Sequence, residues 1–262
     1  MKQRFNEKTI IVTGAAQGLG EAIARRFDGE GANVVAVDIN GDLLRAVWPD
    51  GDHTLAIETD VTDRGAVDQA VSTAANRFGR VDVLANVAGI ALEQPFLEIP
   101  EADWRQIIDV NLTGSFLVAQ ATARQMVTQT PTGGVIINMA SKNGVTSEVK
   151  YAHYNASKAG VIQLTKTMAG DLGEFNIRVN AVAPGYCLTP LSESMDPKEF
   201  QRRYADQLIP LGRLGMPEQV AGTFAFLASD DAGFISGATI LVDGGHLAID
   251  GRKNHAWDDI AE

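Results

Sequence analysis

Short apolar runs, many of them β-branched, alternate along the chain with longer segments whose apolar residues recur at helical spacing. The apolar runs predict strands at Thr9–Val12, Asn33–Val37, Thr54–Ile57, Val81–Leu84, Val135–Met139, Arg178–Val182 and Thr239–Val242. The segments between them predict helices at Gly18–Phe27, Arg64–Phe78, Glu101–Val127, His153–Phe175 and Glu218–Ala228. This alternation is typical of a parallel sheet covered by helices on both faces. We therefore expect an α/β fold with a doubly wound parallel sheet of about seven strands flanked by helices.

Two segments depart from this rhythm. Residues 188–217 are weakly periodic and contain four prolines, and such an interruption after a strand is where a lid over an active site is expected. Residues 250–262 are polar and predict a C-terminal tail. With 262 residues, 45% of them hydrophobic, the rest fits one domain spanning 1–249.

The charge narrows the range of partners. Lysine and arginine total 22 against 33 acidic residues, a formal net charge of −11, which argues against a nucleic-acid surface. The single cysteine suits a reducing compartment, and no apolar stretch approaches about 20 residues. The four histidines are scattered, so no metal site is indicated. We expect a cytoplasmic protein, without membrane or nucleic-acid partners, that acts on a small molecule.

A glycine-rich turn follows the first strand. It reads Thr13-Gly14-Ala15-Ala16-Gln17-Gly18-Leu19-Gly20 and opens the first predicted helix. Glycines at a strand-to-helix turn let the backbone approach a pyrophosphate, which the helix N-terminus attracts. An ordinary turn would look similar, but the place of this one at the first strand–helix junction favours a dinucleotide site.

Asp38 closes the second predicted strand, eighteen positions after Gly20. A carboxylate there can accept hydrogen bonds from ribose hydroxyls and would repel a 2′-phosphate. Its neighbours Ile39, Asn40 and Gly41 are not basic, and neither is Gln17 in the loop. The alternative role for Asp38 is a helix N-cap. The pattern predicts NAD rather than NADP as the cofactor.

Further short motifs follow in a fixed order. They are Asp60-Val61, Asn86-Val87-Ala88-Gly89, Asn111, Ser141, Tyr154-x-x-x-Lys158 and Pro184-Gly185. With the glycine turn, they resemble the short-chain dehydrogenase/reductase family over nearly everything from Lys8 to Gly245. Val87 departs from the asparagine common in the family, and Cys187 from an isoleucine or valine.

The resemblance implies a Rossmann-type domain that assembles as a homotetramer. It implies cofactor contacts at the glycine turn and further along the chain. These contacts would be Asp60 and Val61 beside the adenine, Asn86, Ala88 and Gly89 near the ribose, and Pro184, Gly185, Cys187 and Thr189 around the nicotinamide. Tyr154 and Lys158 would also contact the cofactor, and Lys158 would hold the nicotinamide ribose. The thiol of Cys187 is expected to be a small buried group rather than a reactive one.

Tyr154 and Lys158 are four residues apart and therefore share one face of a helix. An ammonium about 4–5 Å from a phenolate, at an effective dielectric constant of about 20, stabilises it by roughly 3–4 kcal/mol. That is enough to make a phenol with a pKa of about 10 a usable base. Ser141 would hydrogen-bond the substrate oxygen, and the resemblance implies that Asn111 anchors a water in a proton relay. Each residue alone has an ordinary structural explanation; together they favour a catalytic site.

Polar residues between Ser141 and Tyr154 predict the substrate side of the site. Lys142, Asn143 and the stretch from Glu148 to Lys150 would flank the pocket, with Glu93 approaching from a neighbouring loop and Tyr186 following Gly185. Their polarity suggests a hydroxylated or charged substrate, although a solvated loop would look the same. His153 either touches substrate or starts the helix.

Three functions remain open from the sequence. The first is NAD-dependent oxidation of a secondary alcohol, such as a polyol, sugar or hydroxy acid, to the ketone. The second is a 3-oxoacyl-(acyl-carrier-protein) reductase, which Asp38 and the acidic charge disfavour. The third is a non-catalytic nucleotide sensor, which would not need the tyrosine–lysine pair.

Overall fold

The computed structural model describes residues 3–248, apart from the side chains of Leu191 and Met195, and the predicted tail at 250–262 lies outside this range. Over these residues seven parallel strands form one sheet in the order β3-β2-β1-β4-β5-β6-β7, which confirms the predicted doubly wound fold. The strands are β1 (Thr9–Thr13), β2 (Asn33–Asp38), β3 (Thr54–Glu58), β4 (Val83–Asn86), β5 (Gly134–Met139), β6 (Ile177–Pro184) and β7 (Thr239–Val242).

Helices cover both faces of the sheet. They are α1 (Gly18–Asp28), α2 (Gly41–Val47), α3 (Arg64–Phe78), α4 (Glu101–Ile108), α5 (Ser115–Thr128), α6 (Ala152–Leu172), α7 (Pro190–Met195), α8 (Lys198–Leu208) and α9 (Pro217–Ala228). On one face α1 and α9 bury Phe27 and Phe224 against the sheet, and on the other α3 and α5 bury Val71 and Met126. The apolar runs of the strands are therefore explained by burial between two helical layers.

The topology places the site. After β3 the chain crosses to the other side of β1 and adds β4, so β1 pairs with both β2 and β4 in parallel. At this switch point the loops that follow β1 and β4 diverge and leave a crevice at the carboxyl ends of the strands. The glycine turn, Asp38, Ser141 and Gly185 all follow or end these strands and so lie along one edge of the sheet.

The prediction of one continuous helix over Glu101–Val127 was wrong. Helices α4 and α5 are joined by a turn of π-helix at Asp109–Gly114. A β-carbon on Gly114 would lie 2.8 Å from a methyl group of Val61, and Asn111 in the same turn is tied to the backbone of Ile90. The wider turn accommodates these local contacts, and such turns are frequent at functional sites.

Three short helices were not predicted. Helix α2 begins after Asn40, whose side chain accepts a hydrogen bond from the Leu43 amide at 3.1 Å. Helices α7 and α8 lie within 188–217, where α7 is opened by Thr189 followed by Pro190 at the first helical position. Over residues 3–248, no helix combines the length and the apolar character that crossing a membrane requires.

Candidate active site

The glycine turn leads from β1 into α1 and brings backbone atoms very close together. Gly14 and Gly18 have φ values of +68° and +61°, which L side chains rarely adopt. A β-carbon on Gly20 would lie 1.9 Å from the Gly14 carbonyl oxygen. A side chain at Gly20 would clash with this oxygen. Glycine at this position therefore allows α1 to start in direct contact with the turn. Gln17 precedes the helix without a capping bond from its side chain, and Leu19 lines the adjoining cavity.

Asp38 lies beside this turn at the end of β2. One carboxylate oxygen accepts a hydrogen bond from the Ala16 amide at 3.1 Å, and the other accepts one from the Asn40 amide at 3.0 Å. The carboxylate therefore faces the glycine turn. Because Asn40 caps α2, the alternative role of Asp38 as an N-cap is wrong.

The loops after β3 and β4 carry the residues that are expected near the adenine and ribose. Asp60 is exposed and accepts hydrogen bonds from the amide and hydroxyl of Thr62, whereas Val61 is buried. Asn86 is only 2% exposed, and its amide donates to Asn138 and to the Ser115 carbonyl. Its side chain thus braces the loop from inside.

Ala88 and Gly89 form the part of this loop that reaches the crevice. The Ala88 amide donates to the Thr13 hydroxyl at 3.0 Å. A β-carbon on Gly89 would lie 3.0 Å from Asn111 Oδ1 and 3.3 Å from Lys158 Nζ. Glycine here leaves open the space in front of the lysine. This space and the glycine turn fit a dinucleotide lying across the crevice.

Tyr154, Ser141 and Lys158 come together at the carboxyl end of β5. Tyr154 hydrogen-bonds Ser141, and Lys158 Nζ lies 5.7 Å from the centre of the Tyr154 ring. Lys158 is 3% exposed, and its ammonium donates to the Met139 carbonyl at 2.9 Å. Helix α6 supplies the tyrosine and lysine one turn apart, and the end of β5 supplies the serine and the carbonyl. The structure thus brings these three side chains together at one edge of the sheet.

The pKa values of the two titratable groups follow from burial. Desolvation lowers the pKa of Lys158 to about 8. Burial raises the pKa of Tyr154, the hydrogen bond with Ser141 lowers it, and the Glu148 carboxylate raises it. Burial outweighs the other effects, so the pKa of Tyr154 is raised overall. The expectation that Lys158 lowers the pKa of this phenol is therefore not met.

Asn111 is fully buried in the π-helical turn. Its side chain accepts from the Ile90 amide at 2.8 Å, and donates to the Ile90 carbonyl at 2.9 Å and to the Ser157 hydroxyl at 3.1 Å. Ser157 in turn donates to the Tyr154 carbonyl at 2.7 Å. Asn111 thereby ties the loop after β4 to helix α6.

The segment after β6 lines the same cavity as Tyr154. Pro184 and Gly185 line the cavity, and the Gly185 amide donates to the Val242 carbonyl at 3.0 Å. Cys187 is 7% exposed, and burial raises the pKa of its thiol to about 11. The thiol is therefore protonated and unreactive at neutral pH, in agreement with the sequence expectation. Thr189 accepts a hydrogen bond from the Ser192 amide at 3.2 Å and so caps α7.

A cavity of about 430 Å³ opens in front of Ser141 and Tyr154. Of the predicted substrate residues, four line it: Glu93, Lys142, Asn143 and Tyr186. His153 is not among the lining residues. It is fully buried, accepts a hydrogen bond from the Tyr154 amide at 2.8 Å and bonds Gln94 at 3.1 Å. The second alternative, in which His153 starts the helix, agrees with this placement.

Several lining residues were not predicted. They are Tyr151, Ser192, Asp196, Phe200 and Tyr204, together with apolar neighbours on the same walls. Tyr186 donates a hydrogen bond to Asp196, and its ring meets Tyr204 edge-on with centroids 5.0 Å apart. All four tyrosines of the chain line this one cavity. Their concentration within 151–204 was the sequence signal that could have revealed them.

No group of three or more histidine, cysteine, aspartate or glutamate side chains among residues 3–248 is arranged to hold a metal ion.

Known proteins are similar to this chain in sequence. A family model described as enoyl-(acyl carrier protein) reductase matches residues 14–246. A 3-oxoacyl-(acyl-carrier-protein) reductase of Thermotoga maritima is 41% identical, covering 92% of this chain and 98% of its own. A meso-2,3-butanediol dehydrogenase of Serratia marcescens is 40% identical, covering 95% and 98%. An NAD-dependent glycerol dehydrogenase of Listeria innocua is 38% identical, covering 92% and 94%.

Solved structures give the same result. A short-chain type dehydrogenase/reductase from Mycobacterium marinum superposes with a TM-score of 0.88 at 36% identity, covering 94% of this chain and 98% of its own. A 7α-hydroxysteroid dehydrogenase in complex with NADH and 7-oxoglycochenodeoxycholic acid also gives 0.88, at 34% identity, covering 94% and 96%. The fold, the clustered tyrosine, serine and lysine, and these matches together show that the chain belongs to the short-chain dehydrogenase/reductase family and is an oxidoreductase that uses a nicotinamide cofactor.

Proposed function

We propose that the protein oxidises a secondary alcohol to the ketone with NAD as the hydride acceptor. The observation that carries this proposal is that Tyr154 and Ser141 line one cavity beside the glycine turn, with the buried ammonium of Lys158 5.7 Å from the centre of the Tyr154 ring. A binding protein would have no need for a buried ammonium behind a tyrosine, since burying a charge costs stability. The non-catalytic alternative is disfavoured on this ground.

Each residue of the site has its own role in this oxidation. Ser141 hydrogen-bonds the substrate hydroxyl and orients it toward Tyr154. Tyr154 accepts the hydroxyl proton as a general base. Lys158, held by the Met139 carbonyl, places its ammonium 5.7 Å from the centre of the Tyr154 ring. The attraction of this ammonium for the phenolate opposes the burial that raises the pKa of Tyr154. The nicotinamide, when bound, supplies the acceptor for the hydride leaving the carbinol carbon.

Asn111 is a positioning residue and takes no part in the proton transfer from the substrate. Its three side-chain hydrogen bonds fix the loop after β4 against α6. We propose in addition that a water held near Asn111 connects Lys158 to solvent, as the family resemblance implies.

NAD preference rests on Asp38. Its carboxylate faces the glycine turn through the Ala16 amide, where a 2′-phosphate would meet a negative charge. Support comes from the Listeria innocua relative, which is named as NAD-dependent, and from the 7α-hydroxysteroid dehydrogenase, which is complexed with NADH.

We expect a cytoplasmic homotetramer whose partner is a small-molecule substrate. The single cysteine suits a reducing compartment. Trp104 on α4 and Phe116 on α5 are each 39% exposed, and such apolar side chains are candidates for subunit contact. The segment 188–217 is proposed as a lid because α7, α8 and the turn between them carry Ser192, Phe200 and Asp196 into the cavity.

A second candidate is reduction of a 3-oxoacyl thioester, favoured by the name and 41% identity of the Thermotoga maritima relative. Asp38 disfavours the NADPH that this reduction commonly uses, and the net charge of −11 disfavours an acidic carrier protein.

The test follows nicotinamide absorbance with NAD and NADP separately, across polyols, sugars, hydroxy acids and simple secondary alcohols. Substrate-dependent reduction of NAD supports the proposal. Turnover restricted to NADPH-driven reduction of a 3-oxoacyl thioester would replace it with the second candidate.

A further inference from the structure

An ion pair lies inside the substrate cavity. Lys142 Nζ and Glu148 Oε2 are 2.8 Å apart, and their side chains are 9% and 35% exposed. Both residues line the cavity in front of Ser141 and Tyr154. The mechanism proposed above uses neither of them.

Stability does not explain such a pair, because desolvating two charges costs about as much as their attraction returns. The pair is instead fixed relative to the reacting groups. The Asn143 amide donates to the Ser141 hydroxyl at 3.1 Å, and Asn143 Oδ1 accepts from Lys142 at 2.8 Å. Asn155 bonds the Asn143 side chain and the Glu148 carbonyl, at 3.0 and 2.8 Å. The loop thus holds an ammonium and a carboxylate beside the catalytic serine.

The pair presents complementary hydrogen-bonding groups. An ammonium has three donors, and in the described part of the chain Glu148 and Asn143 account for two of those of Lys142. A carboxylate accepts several hydrogen bonds. A single hydroxyl group can accept from the first and donate to the second, and this combination is specific to hydroxyl-like ligands.

The charges that line the cavity disfavour substrates that carry a charge near this pair. Among the described residues that line the cavity, three carboxylates (Glu93, Glu148 and Asp196) face two ammonium groups (Lys142 and Lys150). A substrate carboxylate near Lys142 would be repelled by Glu148, and a substrate cation near Glu148 would be repelled by Lys142. A neutral hydroxyl meets neither penalty.

Position indicates which hydroxyl is bound. Asn143 links the pair to the reacting end of the cavity, because its side-chain oxygen accepts from Lys142 at 2.8 Å and its backbone N–H donates to the Ser141 hydroxyl at 3.1 Å. Lys142 and Glu148 also line the same cavity as Ser141 and Tyr154. A hydroxyl bound to the pair therefore lies near the oxygen that Ser141 holds.

We propose that Lys142 and Glu148 bind a hydroxyl on the carbon next to the reacting carbinol, so that the preferred substrates are neutral vicinal diols and polyols. This inference rests on the proposed function and names the substrate class of the same site.

The experiment compares kcat/KM with NAD for cyclohexanol, cis-cyclohexane-1,2-diol and cyclohexane-1,4-diol. A second matched set, 2-butanol and meso-2,3-butanediol, repeats the comparison on an open chain. We expect the vicinal diols to exceed the mono-alcohols by about 10- to 100-fold, the usual effect of hydrogen bonds to charged groups. The 1,4-diol should behave like cyclohexanol, since its second hydroxyl lies away from the pair.

Three variants test whether Lys142 and Glu148 cause the preference for vicinal diols. Lys142→Met should bring the ratio of vicinal diol to mono-alcohol to within about threefold of one, because the donor is lost. Glu148→Gln keeps an acceptor and the side-chain size, so it should lower the ratio partly and raise turnover of 2-hydroxycyclohexanecarboxylate. Lys166→Met, on the exposed side of α6, is the matched control and should keep the wild-type ratio. If Lys142→Met does not fold, Glu148→Gln still carries the test.

The outcomes separate the two claims. Equal turnover of mono-alcohols and vicinal diols, or a diol preference that survives in both cavity variants, overturns the inference and leaves the proposed function standing. An equal gain for the 1,4-diol overturns the assignment to the neighbouring carbon. Absence of NAD-dependent oxidation of every alcohol overturns the proposed function, and the inference falls with it.

Discussion

Replacing Asp38 with asparagine removes a negative charge beside the glycine turn while keeping the size of the side chain. One of the two backbone hydrogen bonds, to the Ala16 or the Asn40 amide, can be kept by the remaining carbonyl oxygen. The variant therefore tests whether this charge selects NAD over NADP, with limited damage to the turn.

The size of the effect follows from Coulomb's law. A phosphate on the ribose carries about −1.5 to −2 charges at neutral pH. About 5 Å from the carboxylate, with an effective dielectric constant of about 40 for this partly exposed side chain, the repulsion is roughly 2.5 to 3.3 kcal/mol. That corresponds to about a 50- to 300-fold preference for NAD in kcat/KM.

The assay measures initial rates with one alcohol and varied NAD or NADP. We expect Asp38→Asn to lower the NAD/NADP ratio of kcat/KM by about 50-fold or more. Asp42→Asn is the matched control, because Asp42 is fully exposed in the first turn of α2 and bears the same charge. Its ratio should match the wild type.

Two results would refute this reasoning. One is a wild-type enzyme that uses NADP as well as NAD. The other is a ratio that changes equally in Asp38→Asn and Asp42→Asn, which would mean that the general charge of the surface, rather than the carboxylate at the turn, sets the preference.

Two further predictions concern stability. Gly20→Ala places a β-carbon 1.9 Å from the Gly14 carbonyl oxygen, so thermal unfolding should show a loss of about 3 kcal/mol or more. Gly170→Ala in α6 meets nothing within 4 Å and should be neutral or stabilising by about 1 kcal/mol; equal losses would contradict the account. The pKa of Lys158 is lowered from 10.5 to about 8 in the folded protein, so between these pH values the unfolded chain binds more protons and the free energy of unfolding rises with pH. Urea unfolding of wild type and Lys158→Met should therefore diverge by up to about 3 kcal/mol in favour of wild type from pH 8 to 10.5, and a constant difference would speak against a buried ammonium.

The fold was predictable because its strongest signals are local. The strand from Thr9 is buried on both faces, and the predicted strands correspond to the seven observed. The π-helical turn at Asp109–Gly114 was not predictable, since its neighbours Val61 and Ile90 are distant in sequence. Helix α2 was missed although Asn40 provides an N-cap, because seven residues give too short a periodic pattern.

The candidate site divides in the same way. Tyr154 and Lys158 are one helical turn apart, so their shared face follows from spacing. The burial that raises the pKa of Tyr154 depends on the walls contributed by distant segments. His153 illustrates the limit, because its position next to Tyr154 left open whether it touches substrate or starts the helix. In the structure its ring bonds Gln94. The contribution of Asp196 and Tyr204 depends on how α7 and α8 fold back over the cavity, which no local pattern specifies.

The most direct test of the account is the Tyr154→Phe variant, assayed for alcohol-dependent reduction of NAD beside a measurement of NAD binding. We expect kcat/KM to fall by about 10²- to 10⁴-fold, the usual contribution of a general base, while NAD affinity and thermal stability stay close to wild type. Retained alcohol oxidation in this variant would contradict the claim that Tyr154 accepts the substrate proton.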